Sequence, residues 1–564
     1  MTGGPDDGRP EGLGRAAAHI TAGNVASRLT GLVRVVAVAG ALGTTFLGNT
    51  YQTANLVSNI LFELLAAGLL SSVLVPPFVR LIDDGRREDA EQTAGALLGV
   101  GMVALGAITL IGILCRGWIM RALTVAVPDG AVRAREVELG SFFLVLFLPQ
   151  VVLYAVGAVT TALLHGARRF AAPALAPVAN NVVVVATMGL FWALGHGGRG
   201  ATGLDLPLSQ RLVLAVGTTA GVAAMTAVTL AGAWRAGLRV RPRWDPAHTG
   251  LAGLARDGAW GVGYLALNQA LVATTLVLAN RVEGGVVAYQ IAFTVFLLPF
   301  AVLAHPTMTA VFPRLATEAG TRQWPSFAGS LARSSATLVF VLAPATALAV
   351  ALARPALALL RLGHLDAAGT ALAARVLAAY ALGLLGYAGF QLLTRASYAT
   401  GDTRSPALVN MGVAAGGSAL MVVLFSASSG TERVVVLGLA HAAAMTAGAA
   451  VLLAVVQRQV GERCLPASPL GRGLACALAA GLCARLVADR FGGTGRPAAV
   501  AAVGIGTAAG LTVYLLGQWW LGAPELAPLR DARLGVVAGL ATKAKRRPTA
   551  TAPTAGDARP GESA

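Results

Sequence analysis

Charged residues are scarce in this sequence. Only 12% of the 564 residues are Asp, Glu, Lys or Arg, whereas 56% are hydrophobic, and a soluble globular domain carries roughly 25% charged residues. This composition excludes a water-soluble globular protein. Acidic residues are fewer than basic ones: the sequence has 26 Asp and Glu and 43 Lys and Arg. The excess of basic residues is scattered over short polar segments, which favours anionic lipid headgroups as partners over nucleic acid.

Cysteines and the common catalytic motifs are also few or missing. The sequence has 4 cysteines, and their spacing fits no metal site. It contains no P-loop, nucleophile elbow or HExxH pattern. We therefore predict a protein that is not an enzyme, holds no metal or other cofactor, and does not use ATP directly.

Long apolar runs are the dominant feature that is present. Most extend about 18 to 26 residues, and an α-helix rising about 1.5 Å per residue can then cross about 30 Å of hydrocarbon. We predict an all-α membrane protein with fourteen transmembrane helices. The predicted spans are residues 29–47, 53–79, 92–114, 140–164, 172–195, 210–233, 257–279, 285–311, 331–353, 369–393, 406–426, 433–456, 471–488 and 497–521.

Two pairs of similar segments indicate an internal duplication. "SSVLVPPFVRL" (71–81) resembles "MTAVFPRLA" (308–316), and the segment around Pro173 resembles the one around Pro406. The offsets are 236 residues (Pro77 to Pro313) and 233 residues (Pro173 to Pro406). Each copy would hold six helices, an even number, so the repeat is parallel. This architecture favours a transporter, and a rigid membrane scaffold is the alternative.

The repeat divides the chain into five predicted regions. They are an N-terminal cytoplasmic tail (1–25), an N-lobe of helices 1–6 (26–243), a C-lobe of helices 7–12 (244–460), helices 13–14 (461–521) and a disordered cytoplasmic tail (522–564). Lys and Arg favour the cytoplasmic side of a membrane. Because they cluster after the sixth helix and at 543–547, we predict that both termini are cytoplasmic.

A polar turn precedes the fifth helix of the N-lobe, and a matching turn lies in the C-lobe. Pro173 and Pro406 are predicted in the first turn of the following helix, where a missing N–H costs little. Arg168, Arg169 and Arg404 lie just before them. We interpret these arginines as a topology signal at the cytoplasmic surface in preference to a substrate contact.

Four segments in order resemble the MurJ/MviN family of lipid II flippases, which belongs to the multidrug and oligosaccharidyl-lipid exporter superfamily. They are "SRLTGLVR" (27–34), "AAGLLSSVLVPPF" (66–78), "GARRFAAPALAPVANN" (166–181) and "YATGDTRSPALVN" (398–410). The resemblance covers about residues 20 to 520. It implies a V-shaped pair of lobes in the bacterial plasma membrane that moves an undecaprenyl-diphosphate-linked disaccharide-pentapeptide to the outer leaflet. Cell-wall synthesis proteins are candidate partners.

The resemblance also implies that Arg28 and Arg34 match two functionally important arginines in the family's central cavity. An arginine inside a bilayer costs at least about 2.5 kcal/mol and usually faces water or a partner. Arg34 is the deeper of the two, and its guanidinium can bind a diphosphate through two parallel hydrogen bonds. For Arg28, a side chain that reaches the headgroup region is an equal alternative.

Three charged positions of the family are occupied by uncharged residues here, and one acidic residue, Glu63, has no counterpart in the family pattern. The family's acidic residue after the first helix is Asn49 here, and its basic residues on the second and eighth helices fall at Phe62 and near Thr294. Glu63 would be costly without a partner, and we expect Arg34 or Arg28 to pair with it.

Two asparagines complete the predicted substrate site. Asn55 and Asn59 could bind sugar hydroxyls, although hydrogen bonds to neighbouring helices are the favoured interpretation.

Three functions are compatible with these features. A lipid-linked oligosaccharide flippase, most specifically for the peptidoglycan precursor lipid II, is preferred. A multidrug or cation antiporter of the same superfamily would require carboxylates in the cavity, whereas this chain has arginines in its first helix. A diverged membrane scaffold for cell-wall enzymes is the third, because part of the family's charge set is missing.

Overall fold

The computed structural model describes residues 13–63, 75–195, 203–245, 269–465, 467–491 and 495–526. The predicted disordered tail (522–564) lies outside these residues except for 522–526, which are ordered and include a short 3₁₀ turn, Pro524–Leu526. The helices are α1 Leu13–Leu42, α2 Phe46–Phe62, α3 Val75–Asp83, α4 Arg87–Leu114, α5 Arg116–Leu123, α6 Gly130–Phe147, α7 Gln150–Gly166, α8 Ala171–Ala193, α9 Leu208–Arg235, α10 Gln269–Ala279, α11 Gly285–Pro299, α12 His305–Gly320, α13 Trp324–Ala351, α14 Ala353–Ala358, α15 Ala367–Ala381, α16 Leu384–Ala399, α17 Arg404–Ala427, α18 Glu432–Val460, α19 Ala467–Arg490 and α20 Arg496–Trp520.

The all-α membrane architecture is confirmed. The described residues contain 11 helices long and apolar enough to cross a membrane, or 12 when α15 and α16, which bend by 45°, form one span. The remaining predicted spans, 53–79 and 257–279, run into segments that are not described, so the total of fourteen stays a prediction. Helix α1 begins at Leu13, well before the predicted span at residue 29.

Proline and glycine explain where the long helices break. Pro149 separates α6 from α7, and Pro299 precedes a π-helical turn, Phe300–Ala304, that joins α11 to α12. Proline removes a backbone donor and disrupts regular α-helical bonding. Between α15 and α16, an added Cβ at Gly383 would lie 2.6 Å from Cα of Ala442. The bend at this point therefore lies against the backbone of α18.

Most of the packing occurs within each half of the chain. In the N-terminal half α8 contacts α1 and α9 extensively, and in the C-terminal half α18 packs against α16 and α17. One buried apolar cluster draws on residues 38–215, and another draws on residues 271–464 with the single addition of Ala39. Small residues permit close helix contact: Gly217 and Gly221 of α9 face Thr187 and Asn180 of α8. Each half therefore has its own core.

The two polar turns have equivalent backbones. Pro173 and Pro406 are each the third residue of their helix, which confirms that they lie in the first turn. Arg168 and Gly401 both have positive φ, 56° and 81°, and they are separated by the same interval as the two prolines. The duplication inferred from sequence thus extends to the conformation of the turn.

The segment that follows α9 lies along α4. The backbone N–H of Arg243 donates to the carbonyl of Gly95 at 2.8 Å. An added Cβ at Gly95 or Gly99 would overlap the backbone of this segment. The absence of side chains at these two positions therefore allows the basic segment to leave the N-terminal half along the surface of α4.

Candidate substrate cavity

A cavity of ≈ 320 Å³ lies between the two halves of the chain. Helices α1, α2 and α8 form one side, and α11 forms the other. The lining residues are Ser27, Arg28, Gly31, Arg34, Val35, Val38, Gln52, Asn55, Leu56, Asn59, Pro177, Asn180, Asn181, Gln290, Thr294, Leu297 and Leu298. The polar residues come from all four helices, so the cavity forms only when the halves are assembled.

The chemistry of the lining is cationic and rich in amides. It contains two arginines and six Asn or Gln side chains, and none of these lining residues is Asp or Glu. Arginine offers a planar set of N–H donors suited to phosphate, and amides both donate and accept hydrogen bonds. Such a lining suits an anionic group attached to a polyhydroxylated one.

Arg28 and Arg34 both reach the cavity, as the sequence predicted. Arg28 is exposed and Arg34 is half-buried. The side-chain amide of Asn181 donates to Thr30 Oγ1 at 3.0 Å and to the carbonyl of Ser27 at 3.3 Å. These bonds fasten α8 to the part of α1 that carries both arginines, and they restrict where the two guanidinium groups can lie.

Asn55 and Asn59 also line the cavity, on α2. Asn59 Oδ1 accepts a hydrogen bond from the Tyr154 hydroxyl at 3.1 Å, which agrees with the favoured interpretation that it satisfies a neighbouring helix. Its side-chain N–H₂ group is a separate donor. Asn59 can therefore be held by α7 and still present a donor to a ligand.

Glu63 behaves differently from the prediction. It is not among the lining residues, and among the described ion pairs none joins it to Arg28 or Arg34. It directly follows α2, where its backbone N–H donates to the carbonyls of Asn59 and Ile60. Among the described residues, the predicted ion pair of Glu63 with Arg28 or Arg34 is not formed in this conformation.

Sequence reasoning missed four of the six amides. Gln52, Asn180, Asn181 and Gln290 line the cavity. The available signal was that an amide in the middle of an apolar helix needs a polar partner or water. Thr294, where the family's arginine would lie, is also in the lining.

One end of the cavity is closed by direct contacts between the halves. Asn49 Nδ2 donates to the carbonyl of Val282 at 2.9 Å, and Asn49 Oδ1 accepts from the N–H of Val286 at 3.0 Å. Asn280 donates to Thr53 at 3.1 Å. The N–H of His364 donates to the carbonyl of Gly40 at 2.7 Å. We call this set of contacts the closed end.

The closed end explains the role of Asn49, one of the departures from the family pattern. The residue is fully buried and binds one backbone acceptor and one backbone donor of the same turn. A carboxylate has no donor and could not make both bonds. An amide at this position is therefore matched to the backbone of the opposite half.

A family model described as "Lipid II flippase MurJ" matches residues 38–490 of the chain. The chain belongs to this family. A probable lipid II flippase MurJ from Rhizobium meliloti (strain 1021) is 28% identical over 347 residues, which are 61% of this chain and 62% of that protein. The chain is thus aligned with slightly less than two thirds of that relative.

Solved structures show the same fold. A lipid II flippase MurJ in an inward closed conformation superimposes with a TM-score of 0.71 at 17% identity, covering 91% of this chain and 99% of that one. A multidrug resistance MATE family transporter of the MOP superfamily, in an inward-facing conformation, gives 0.62 at 14% identity, covering 77% and 94%. The fold is therefore shared by proteins whose names give different functions, so the fold alone does not identify a cargo.

Proposed function

We propose that this protein is a flippase that moves an undecaprenyl-diphosphate-linked peptidoglycan precursor, lipid II, from the inner to the outer leaflet of the bacterial plasma membrane. Membership of the MurJ family supports the substrate class. The single observation that carries the proposal is a cavity with two arginines, six amides and no lining carboxylate. That set of side chains matches a diphosphate joined to sugars.

In this proposal the roles within the site follow from position. Arg34 binds the diphosphate through its paired N–H donors, and Arg28 makes the secondary contact nearer to the open end. Asn55 and Asn59 of α2 bind sugar hydroxyls, together with Gln52 of the same helix, Asn181 of α8 and Gln290 of α11. Glu63 is not assigned a direct contact, because it lies outside the lining.

We propose that the closed end faces the outside and that both termini are cytoplasmic. The open end then accepts the lipid from the inner leaflet, and the contacts around Asn49 must separate before release. A substrate with about two negative charges that moves outward gains about 4.6 kcal/mol at about 100 mV, inside negative. The membrane potential can therefore drive the cycle, with anionic lipids and cell-wall synthesis proteins as neighbours.

A cation antiporter of the same superfamily is the second candidate. The fold that this chain shares with a MATE family transporter is compatible with it. A site for organic cations needs carboxylates or an aromatic surface. The lining residues include no carboxylate and no aromatic side chain. The lining therefore favours an anionic cargo.

The proposal is tested by depleting the protein in its host and measuring lipid II in each leaflet. Flipping predicts accumulation on the cytoplasmic side, with recovery on re-expression of the wild-type chain. Re-expression of an Arg34→Ala variant at equal membrane level should give no recovery. An unchanged leaflet distribution after depletion, in a cell without a second flippase, would instead support a scaffold.

A further inference from the structure

A second basic pocket, remote from the central cavity, lies where the connection between α13 and α15 meets α19 and α20. It has a volume of ≈ 430 Å³, and four arginines and one aspartate line it: Arg354, Arg361, Arg485, Arg496 and Asp489. We call it the arginine pocket. It is large enough for the headgroup of a phospholipid.

The arginine pocket lies on the same side of the molecule as the closed end. His364, three residues after Arg361, donates its N–H to Gly40, and its ring lies 5.0 Å from that of Trp192 at the end of α8. Pro173, in the first turn of α8, marks the opposite side. The arginines therefore concentrate on the side where the positive-inside rule disfavours them under the proposed orientation.

Contacts within the pocket use only part of its positive charge. Arg485 pairs with Asp489 at 3.0 Å, and Arg496 donates to the carbonyl of Arg361 at 2.6 Å. Arg361 donates to Thr370 at 3.2 Å. Among the described residues, Arg354 has neither an ion pair nor a side-chain hydrogen bond. One carboxylate thus faces four guanidinium groups, which leaves a local excess of positive charge.

The start of α20 adds donors to the same pocket. Gly495, Arg496, Ala498 and Ala499 are lining residues, and no acidic residue lies in the first turn of this 25-residue helix. The residue before the helix is Gly495, which has no side-chain acceptor. A helix N-terminus carries unsatisfied N–H groups and a partial positive charge that favour phosphate.

The remaining lining is apolar, and the helices that form it also carry exposed apolar side chains. Pro355, Ala358 and Phe491 line the pocket beside the arginines. Leu486 of α19 and Val500 of α20, on the flanking helices, are 59% exposed each, as expected for side chains that contact acyl chains. A ligand with a phosphate and a hydrocarbon chain can contact both the arginines and the apolar wall. A free phosphate would contact only the arginines.

We propose that the arginine pocket binds the phosphate of an anionic membrane lipid on the side of the closed end. The guanidinium groups of Arg354 and Arg496 and the first turn of α20 contact the phosphate, and the apolar wall receives the start of the hydrocarbon chain. The site is separate from the central cavity and does not depend on what that cavity transports. Under the proposed orientation, the lipid belongs to the outer leaflet.

The test uses the purified full-length protein and native mass spectrometry to count lipids retained from mixed micelles. Phosphatidylglycerol, phosphatidylcholine and undecaprenyl phosphate are the three probes. The wild-type chain should retain a phosphate-bearing anionic lipid in preference to phosphatidylcholine. Arg354→Gln with Arg496→Gln should weaken retention about tenfold or more, because charge-assisted hydrogen bonds are lost.

Arg490→Gln is the matched control, since Arg490 is exposed at the end of α19 but does not line the pocket. Arg354→Gln alone should give an intermediate loss and is the second variant if the double variant does not fold. Selective retention of phosphatidylglycerol would identify a bulk phospholipid site, and selective retention of undecaprenyl phosphate a site for the polyprenyl carrier. Equal retention of phosphatidylcholine, or undiminished retention by a folded double variant, would overturn the proposal.

Discussion

The two arginines of α1 differ in their exposure to water, and this difference changes how strongly each can bind an anion. Both line the central cavity, but Arg34 is half-buried whereas Arg28 is exposed. Water screens an exposed charge, and a lower effective dielectric strengthens a buried one. The guanidinium of Arg34 should therefore form the stronger bond to an anionic ligand.

Replacing Arg34 by Ala should abolish flipping while the protein stays inserted in the membrane. Arg34→Lys should restore activity only in part, because an ammonium group cannot reproduce the planar pair of donors. Arg28→Ala should reduce flipping less than Arg34→Ala. The measurement is leaflet-resolved lipid II at matched protein level.

A double variant, Arg34→Gln with Glu63→Gln, addresses the alternative that Arg34 only neutralises Glu63. Because no described ion pair joins the two side chains, we expect the double variant to remain inactive. Recovery of flipping in the double variant would contradict this and would restore the salt-bridge interpretation.

At the scale of single elements, helix starts and breaks depend on a few local bonds. Asp402 accepts from the N–H of Arg404 at 3.0 Å and of Ser405 at 2.9 Å, and it also accepts from the side chain of Gln459. It thus caps α17 and fastens the turn to α18. Burial raises the pKa of Asp402, but the hydrogen bonds from Ser405, Gln459 and Arg404 outweigh burial and lower it.

Asp402→Ala should destabilise the protein by about 1 to 2 kcal/mol through loss of the cap. A carboxylate whose pKa is lowered on folding stabilises the folded state above its unfolded pKa, about 3.9. The difference from the wild-type chain should therefore be constant from pH 8 to pH 5 and shrink below about pH 4. Thermal unfolding in detergent measures it.

Asp84→Ala is the control, because Asp84 is exposed and its carboxylate has no described ion pair or hydrogen bond. It should change the unfolding temperature little at any pH. An equal loss for both variants would show that the effect of Asp402 is not due to capping.

At the scale of the whole molecule, the closed end determines which side of the cavity is accessible. Asn49 contributes two hydrogen bonds between the halves, and Gly284 lies so close to Thr44 that an added Cβ would lie 2.6 Å from the Thr44 Cβ. These contacts have to break for the opposite opening. The balance between the two states should therefore depend on Asn49.

Asn49→Leu should shift the population toward a state that is open at the closed end, because it removes both bonds and leaves buried backbone groups unpaired. Arg133 and Ala368 are both exposed and can carry spin labels. In the variant, a larger fraction of molecules should show a longer distance between the two labels than in the wild-type chain. Asn49→Asp should also shift the population, because a carboxylate cannot donate to the Val282 carbonyl and is costly to bury unpaired. An unchanged distance distribution for Asn49→Leu would argue against a role of Asn49 in closure.

Native cysteines give an independent test of orientation. Cys115, between α4 and α5, is exposed, whereas Cys464 is buried. Burial and the nearby Glu462 raise the pKa of Cys464 to about 11, so its thiol stays protonated near pH 7 and reacts slowly. A membrane-impermeant maleimide should label Cys115 from outside intact cells, and in the purified folded protein Cys464 should stay unmodified until the protein is unfolded.

Cys115→Ser removes the expected labelling and is the control. Labelling of Cys115 only after the membrane is opened would reverse the proposed orientation. The reversal would also place the closed end and the arginine pocket on the cytoplasmic side.

The sequence by itself determined the membrane class, most of the spans and the presence of two arginines in the first helix. The length of an apolar run decides whether it can span the bilayer. A charge inside such a run has a free-energy cost in hydrocarbon whichever helices are its neighbours. Pro173 and Pro406 likewise marked helix starts through a local constraint. These features are encoded within a few consecutive residues.

Only the tertiary structure decided which polar side chains share the cavity. Gln52, Asn181 and Gln290 are distant in sequence, and each could face lipid, a neighbouring helix or water according to how its helix is rotated. That rotation is set by packing against other helices. The contacts of Asn49 and the clustering of Arg354 with Arg496 are non-local for the same reason: they exist only after separate helices have docked.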